Sequence, residues 1–244
     1  SGLKISDITN PALPALAGSF ATSGDVWGTY VRESYAYAAD GNSGKLIILK
    51  VTGFPKDDFL GTWDSSGVWY RNTQTGAWVS MASAAKLVAS GDIDGDYVDD
   101  LIGVWSNGLW VRYTKTKTWA KLSASLPTCI ASGDMNRDGW DDVGGSFSSG
   151  VWLRNSKSGT WVLMSSTVAS KVAAGDIDGD NRDDLIGVWT NGVWVKKSWT
   201  GSWMKLSTSL PIDIAAGDMS GDGRVDFVGG WSSGVWYRNS ATGA

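Results

Sequence analysis

Four segments of the chain place oxygen-bearing side chains on alternate residues. They are Asp92-Ile93-Asp94-Gly95-Asp96, Asp134-Met135-Asn136-Arg137-Asp138, Asp176-Ile177-Asp178-Gly179-Asp180 and Asp218-Met219-Ser220-Gly221-Asp222. Each meets a further carboxylate four residues on, at Asp100, Asp142, Asp184 or Asp226. Numbered from the first Asp, the donors stand at positions 1, 3, 5 and 9, and position 3 reads Asp, Asn, Asp, Ser. Such a loop can wrap its oxygens around one hard cation. The backbone carbonyl at position 7 (Val98, Trp140, Arg182 or Arg224) is a plausible fifth ligand. All-oxygen ligation with several carboxylates favours Ca2+ over transition metals, and Mg2+ would demand a tighter octahedron. With Asp99, Asp141 and Asp183 beside position 9, the four loops hold 17 of the 25 acidic residues. Carboxylates so crowded repel one another unless neutralised, so about four bound Ca2+ ions are expected. The competing explanation is an Asp-rich turn whose side chains only satisfy nearby backbone N–H groups. An EF-hand is excluded: it needs a bidentate Glu at position 12 between helices, and position 12 is Gly103, Gly145, Gly187 or Gly229, in strand-like sequence.

Composition narrows the remaining chemistry. The 244 residues include no His and one Cys, Cys129. That removes His-based triads, His-ligated zinc and any internal disulfide. The net charge of -4 gives no nucleic-acid footprint, and no apolar run approaches the ~20 residues of a membrane-spanning helix. No signal-peptide pattern is read at Ser1-Gly2-Leu3-Lys4, which suits a processed or trimmed form. Of the acidic residues only Glu33 is Glu. Asp favours turns and caps where Glu favours helix, so an Asp-, Gly-, Trp- and Val-rich chain implies strands joined by turns.

The elements that must position these loops follow from an internal repeat. The loops recur every 42 residues, and other features keep that step. Trp105, Phe147, Trp189 and Trp231 close one strand, Trp110, Trp152, Trp194 and Trp236 sit in the next, and Trp119, Trp161 and Trp203 follow. The copies alternate, as if an 84-residue pair had been duplicated. In the unit at 172, four strands are expected at Val172–Gly175, Asp184–Trp189, Gly192–Lys197 and Trp203–Leu206, with a Thr-Asn-Gly turn between the second and third. Four strands in ~40 residues, repeated, specify a β-propeller blade.

The expected fold is therefore all-β, a single propeller domain over residues 1–244. Six four-stranded blades are counted, with five or seven also allowed. Residues 86–244 supply the regular loop-bearing blades, and 14–44 and 45–85 supply divergent ones. Residues 1–13 are expected to close the ring, because Leu3-Lys4-Ile5-Ser6 resembles Met204-Lys205-Leu206-Ser207, the outer strand that the last blade lacks. In the 45–85 unit, Lys50 and Phe54 argue against a metal loop.

The pattern Gly-Asp-x-Asp/Asn-Gly-Asp-x-x-x-Asp-Leu/Phe at this spacing resembles the FG-GAP/VCBS repeat family, which includes integrin α propellers and propeller lectins. The resemblance is specific over residues 86–244 and weaker over 45–85. It implies a propeller with calcium in the loop between the first and second strands of a blade. The Trp-rich hairpins resemble the lectin branch more closely.

Weak calcium sites fill outside the cell, with Kd of ~10⁻⁴–10⁻³ M in extracellular modules, so a secreted or cell-surface location is expected. The expected function is carbohydrate binding, with glycans or cell-surface glycoproteins as partners. Trp110, Arg112, Trp152, Arg154, Trp194, Trp236 and Arg238 are the candidate ligand residues; alternatively these Trp pack between blades. Other functions considered are a protein-binding or adhesion platform and an accessory domain of a larger secreted protein. No singular constellation breaks the repeat, so an enzyme, such as a polysaccharide lyase, is not expected. The oligomeric state is not indicated.

Overall fold

A computed structural model describes residues 3–7, 15–20, 26–32, 35–40 and 45–50 as backbone strands, and residues 59–243 apart from 64, 65 and 74. The described strands form seven sheets. The chain is an all-β β-propeller.

The regular blades are consecutive antiparallel meanders. In the first, β9 (Leu87–Gly91), β10 (Asp100–Trp105), β11 (Gly108–Arg112) and β12 (Trp119–Ser123) pair in order. β13 (Cys129–Gly133), β14 (Asp142–Phe147), β15 (Gly150–Arg154) and β16 (Trp161–Ser165) repeat the plan. So do β17 (Lys171–Gly175), β18 (Asp184–Trp189), β19 (Gly192–Lys196) and β20 (Trp203–Ser207). The last copy has three strands, β21 (Asp213–Gly217), β22 (Asp226–Trp231) and β23 (Gly234–Arg238). Upstream, β6 (Phe59–Trp63), β7 (Gly67–Arg71) and β8 (Trp78–Ala82) form a three-stranded sheet of the same repeat. Five blades thus carry the repeat. Each of the three four-stranded ones shifts register just before the third-strand Trp, as β7–β8 also does.

The strands before residue 50 pair differently from the expectation. β1 (Leu3–Asp7) pairs with β2 (Ala15–Phe20), not with β23. β3 (Val26–Arg32), β4 (Tyr35–Asp40) and β5 (Lys45–Lys50) form one sheet. The Lys45–Lys50 segment, expected to open the 45–85 blade, therefore belongs with the strands before it. The physical reason is local: the two strands are close in sequence, and six residue pairs from Tyr35↔Lys50 to Asp40↔Lys45 join them. The divergent loop expected around Phe54 lies outside the described residues.

The core lies between blades as well as within them. Ile93, Ile102, Val104, Leu109 and Val111 of one blade pack with Val143 and Phe147 of the next. Cys129, Met135, Val151 and Leu153 meet Val172, Leu185 and Trp189 in the same way. The second strand of each inner blade is consequently buried on both faces, which is why β10 and β18 read Asp-Leu-Ile-Gly-Val-Trp without alternation. Its glycine has a steric role. A Cβ at Gly103 would come within 2.4 Å of the Trp105 ring, and one at Gly187 within 2.5 Å of the Trp189 ring. The aromatic folds back over the bare strand, so position 12 must stay without a side chain.

Candidate functional site

Each metal-type loop joins the first and second strands of a blade. Its position 2 anchors it: Ile93, Met135 and Ile177 are buried in the inter-blade core. The first carboxylate then organises the turn. Asp92 Oδ1 accepts N–H bonds from Gly95 (2.8 Å) and Asp96 (3.0 Å), and its Oδ2 accepts one from Tyr97 (2.7 Å). Asp176 does the same for Gly179, Asp180 and Asn181. The position 9 carboxylate enters from the second strand and clamps the turn between the third and fourth strands. Thr114, Ser156, Ser198 and Ser240 each donate a backbone N–H to it, at 2.8, 3.0, 2.8 and 2.8 Å. Capping thus explains part of the Asp content, as the competing explanation held.

Capping leaves oxygens over in two loops. Asp92, Asp94 and Asp100 bring carboxylate oxygens within 4.8 Å of one another, and so do Asp176, Asp178 and Asp184. Within these groups Asp94 Oδ1, Asp178 Oδ1 and Asp184 Oδ2 are buried with no hydrogen-bond partner. A buried, unsatisfied carboxylate oxygen is costly. Burial, reinforced by repulsion from Asp94, pushes the Asp100 carboxyl up to about 7. Burial, with Asp178 and Asp180 behind it, raises Asp184 to about 7. Asp94 is raised by burial and by Asp96 and Asp92. Three convergent oxygens that cannot all ionise comfortably have the chemistry that a hard divalent cation such as Ca2+ would fit. These residues would hold such an ion, which would supply the missing positive charge.

The other loops answer the same crowding with neutral donors. Asn136 Nδ2 donates to Asp142 Oδ2 at 3.2 Å, and Asn155 Nδ2 to Asp142 Oδ1 at 3.3 Å. Asp142 is still raised to about 7, mainly by burial. In the last blade the N–H groups of Met219 and Ser220 both donate to Asp226 Oδ2 at 3.0 Å. Among the described residues, three-carboxylate groupings occur in the Asp92 and Asp176 loops. Position 5 stands outside those groupings. Asp96, Asp138, Asp180 and Asp222 instead accept the N–H of position 7, from Val98, Trp140, Arg182 and Arg224. That bond lowers Asp222.

Sequence reasoning counted Asp141 and Asp183 with their own loops, but they serve the preceding blade. Asp141 Oδ2 accepts the Asp92 N–H at 2.9 Å while the Asp141 N–H donates to the Asp92 carbonyl at 2.7 Å. Asp183 repeats both contacts with Asp134, each at 3.0 Å. This latch explains the Gly of the Gly-Asp motif, since a Cβ at Gly133 would lie 2.4 Å from Asp183 Oδ2. Position 7 side chains also lean across: Trp140 covers Gly95 and Arg224 covers Gly179.

The candidate ligand residues divide. Trp152 and Trp194 are half-buried against inter-blade clusters, as the packing alternative required. Trp110 and Trp194 have Lys121 and Lys205 over their rings, at 5.4 and 5.3 Å. Two arginines act as ties to the preceding blade. Arg112 reaches Met81 Sδ, and Arg238 reaches the Leu206 carbonyl; Lys196 reaches the Met164 carbonyl in the equivalent place. Arg154 is half-buried at the corresponding strand end. Trp236 is 64% exposed, on a strand that is an edge among the described strands. The more regular aromatic surface was missed: the fourth-strand residues Trp78, Trp119 and Trp203 are 48%, 42% and 40% exposed. Each stands at nearly a right angle to a second-strand Trp, with centroids 5.5, 5.3 and 5.2 Å apart, and Trp161 stands likewise on Phe147. The 42-residue recurrence was the signal that marked them.

A family model for the LVIVD repeat matches residues 1–22 and 23–50. These are propeller repeats, and the match falls where the loop pattern does not reach. No curated protein matches the chain in sequence. Among solved structures, an Agrocybe aegerita lectin that recognises non-reducing terminal N-acetylglucosamine is similar, with TM-score 0.54, 16% identity, 75% of this chain and 59% of the lectin covered. The extracellular domain assigned to a one component system of B. thetaiotaomicron gives TM-score 0.56 at 12% identity, over 89% of this chain and 34% of that one. TolB from Acinetobacter baumannii gives 0.55 at 12%, over 91% and 66%. The chain thus spans between 34% and 66% of these structures' lengths, and the likeness is one of fold.

Proposed function

We propose that the chain is an extracellular, calcium-stabilised carbohydrate-binding propeller. The observation that carries this is the row of half-exposed tryptophans, Trp78, Trp119 and Trp203, each braced against a second ring at the same place in its blade. A rigid indole offers a large apolar contact at low entropy cost, and sugar rings present C–H faces that stack on it. One weak site per blade suits a multivalent glycan, where avidity multiplies affinity. The lectin and the extracellular domain among the similar structures support this assignment. The buried orphan carboxylate oxygens support calcium, and the loop spacing supports FG-GAP/VCBS-type repeats. For the ring itself, we infer a sixth sector formed by β3–β5, since β3 neighbours β21 and β5 neighbours β6. Catalysis is not part of the proposal, because each carboxylate cluster belongs to the repeat.

The test is a glycan array at millimolar Ca2+, repeated in chelator and with W119A and W203A. Sugar binding weakened by both variants is expected. A second function has its own support: β23 leaves Val235, Trp236 and Tyr237 more than half exposed along an edge that is unpaired among the described strands, which suits protein binding by strand addition, including within a larger secreted protein. Capture of a specific protein with no glycan bound would favour that function.

A further inference from the structure

We infer that Lys197 is a built-in competitor for the cation at the Asp176 loop, so that the two three-carboxylate sites differ in Ca2+ affinity. The inference rests on the calcium assignment proposed above.

The Lys197 ammonium lies 3.3 Å from Asp178 Oδ2, and the two side chains are only 27% and 17% exposed. Asp178 is the position 3 carboxylate and a member of the convergent group. Beside it Asp184, 0% exposed, keeps Oδ2 unpartnered, as Asp178 keeps Oδ1. The site therefore retains room for a ligand-hungry cation while one of its carboxylates already holds a positive charge. The Lys197 backbone is pinned: its N–H donates to the Ser202 carbonyl at 2.9 Å and its carbonyl accepts the Gly201 N–H at 2.8 Å. The next residue, Ser198, holds Asp184.

In two other blades the equivalent position also reaches the loop or its position 9 carboxylate. The equivalents of Lys197 are Tyr113, Asn155 and Asn239. Asn155 donates to Asp142 and Asn239 to Asp222. Only the Asp176 loop has a cation there. In the Asp92 loop the nearest lysine, Lys115, pairs at 3.4 Å with Asp96, which lies outside the convergent group, and its side chain is 53% exposed. A Ca2+ ion at the Asp176 site must displace or tolerate an ammonium paired with its own ligand, whereas at the Asp92 site the lysine pairs with Asp96 and acts on Asp94 only through space. Two like charges within a few ångströms in a partly buried site repel appreciably.

The experiment isolates each site in the full chain. D94N leaves the Asp176 site, and D178N leaves the Asp92 site. Calcium titration calorimetry on chelator-stripped protein should give one ion per chain in both, with the Asp92 site tighter. Adding K197N to D94N should tighten the Asp176 site about two- to fivefold, a change of the size that removing such an ion pair produces. K197M, which keeps the stem and removes the charge, should do the same, and K115A in D178N should change affinity less. Unchanged or weaker binding in both K197N and K197M overturns the inference while calcium itself stands. Equal effects of K115A and K197N on their own sites also overturn it, reducing the lysine to general charge. No calcium binding at either site overturns the calcium assignment and this inference together.

Discussion

The loops that begin at Asp92 and Asp176 and those that begin at Asp134 and Asp218 share length, capping pattern and place in the blade. They differ at position 3. Where it is Asp94 or Asp178, three carboxylates converge and buried oxygens are left without partners. Where it is Asn136 or Ser220, the second oxygen of the position 9 carboxylate is met by an amide or by two backbone N–H groups of the loop; Asp100 Oδ2 also accepts one such N–H, from Ile93, so the distinguishing feature is the third carboxylate at position 3. The capped turn is therefore a structural device common to these four loops, and an Asp at position 3 adds a third convergent carboxylate to it. The sequence-based expectation of about four ions weighed Asp, Asn and Ser as equal oxygen donors. The geometry separates charged donors from donors that can also neutralise.

The largest expected effect is that of removing the cation. Stripped protein should rebind two Ca2+ per chain by calorimetry. At millimolar Ca2+ each weak site adds up to roughly 1.4 kcal/mol by linkage, so chelation should lower Tm by about 2–10 °C. Four equivalent ions would erase the distinction between the loop pairs. Next in size is conversion: D178N should reduce the stoichiometry from two to one, and N136D should raise it to three, each moving calcium-dependent stability by about 1 kcal/mol.

A smaller effect lies in pH. Burial pushes the Asp100, Asp142 and Asp184 carboxyls up to about 7, from the ordinary 3.8 of an aspartate. A carboxyl whose folded pKa is raised binds more protons in the native state, so cation-free protein should lose stability as pH rises from about 4 to above 7. Saturating Ca2+ should remove the contributions of Asp100 and Asp184 and leave that of Asp142. A thermal-melt series in which calcium abolished the whole slope would place an ion in the Asp134 loop as well. The smallest effect is at Tyr97, which holds φ +66 and is 94% exposed, while Gly139 and Gly223 occupy its place in the Asn and Ser loops. Y97G should stabilise the Asp92 loop by a few tenths of a kcal/mol to about 1 kcal/mol, because a residue with a Cβ is strained there. A measured loss of stability would show that the tyrosine packs against something in solution.

The sequence by itself determined the repeat, the four-strand order of the regular blades, the hairpin turns and the alternation of donors in the loops. All of these are local: period-2 strand patterns, Gly-bearing turns and alternate carboxylates depend on residues a few positions apart. Even the β1–β2 and β3–β5 pairings are settled between sequence neighbours, although likeness to a distant strand suggested another partner for β1. Only the tertiary structure decided what faces each loop across the blade boundary. Asp141 and Asp183 latch loops 49 residues earlier, Arg238 ties to a carbonyl 32 residues away, and the third-strand tryptophans are partly spent on packing. A carboxylate, an arginine and an indole look equally available in a linear chain. Which of them remain free is set by the neighbouring blade, because burial and hydrogen bonding there consume some oxygens and ring faces and leave others unsatisfied.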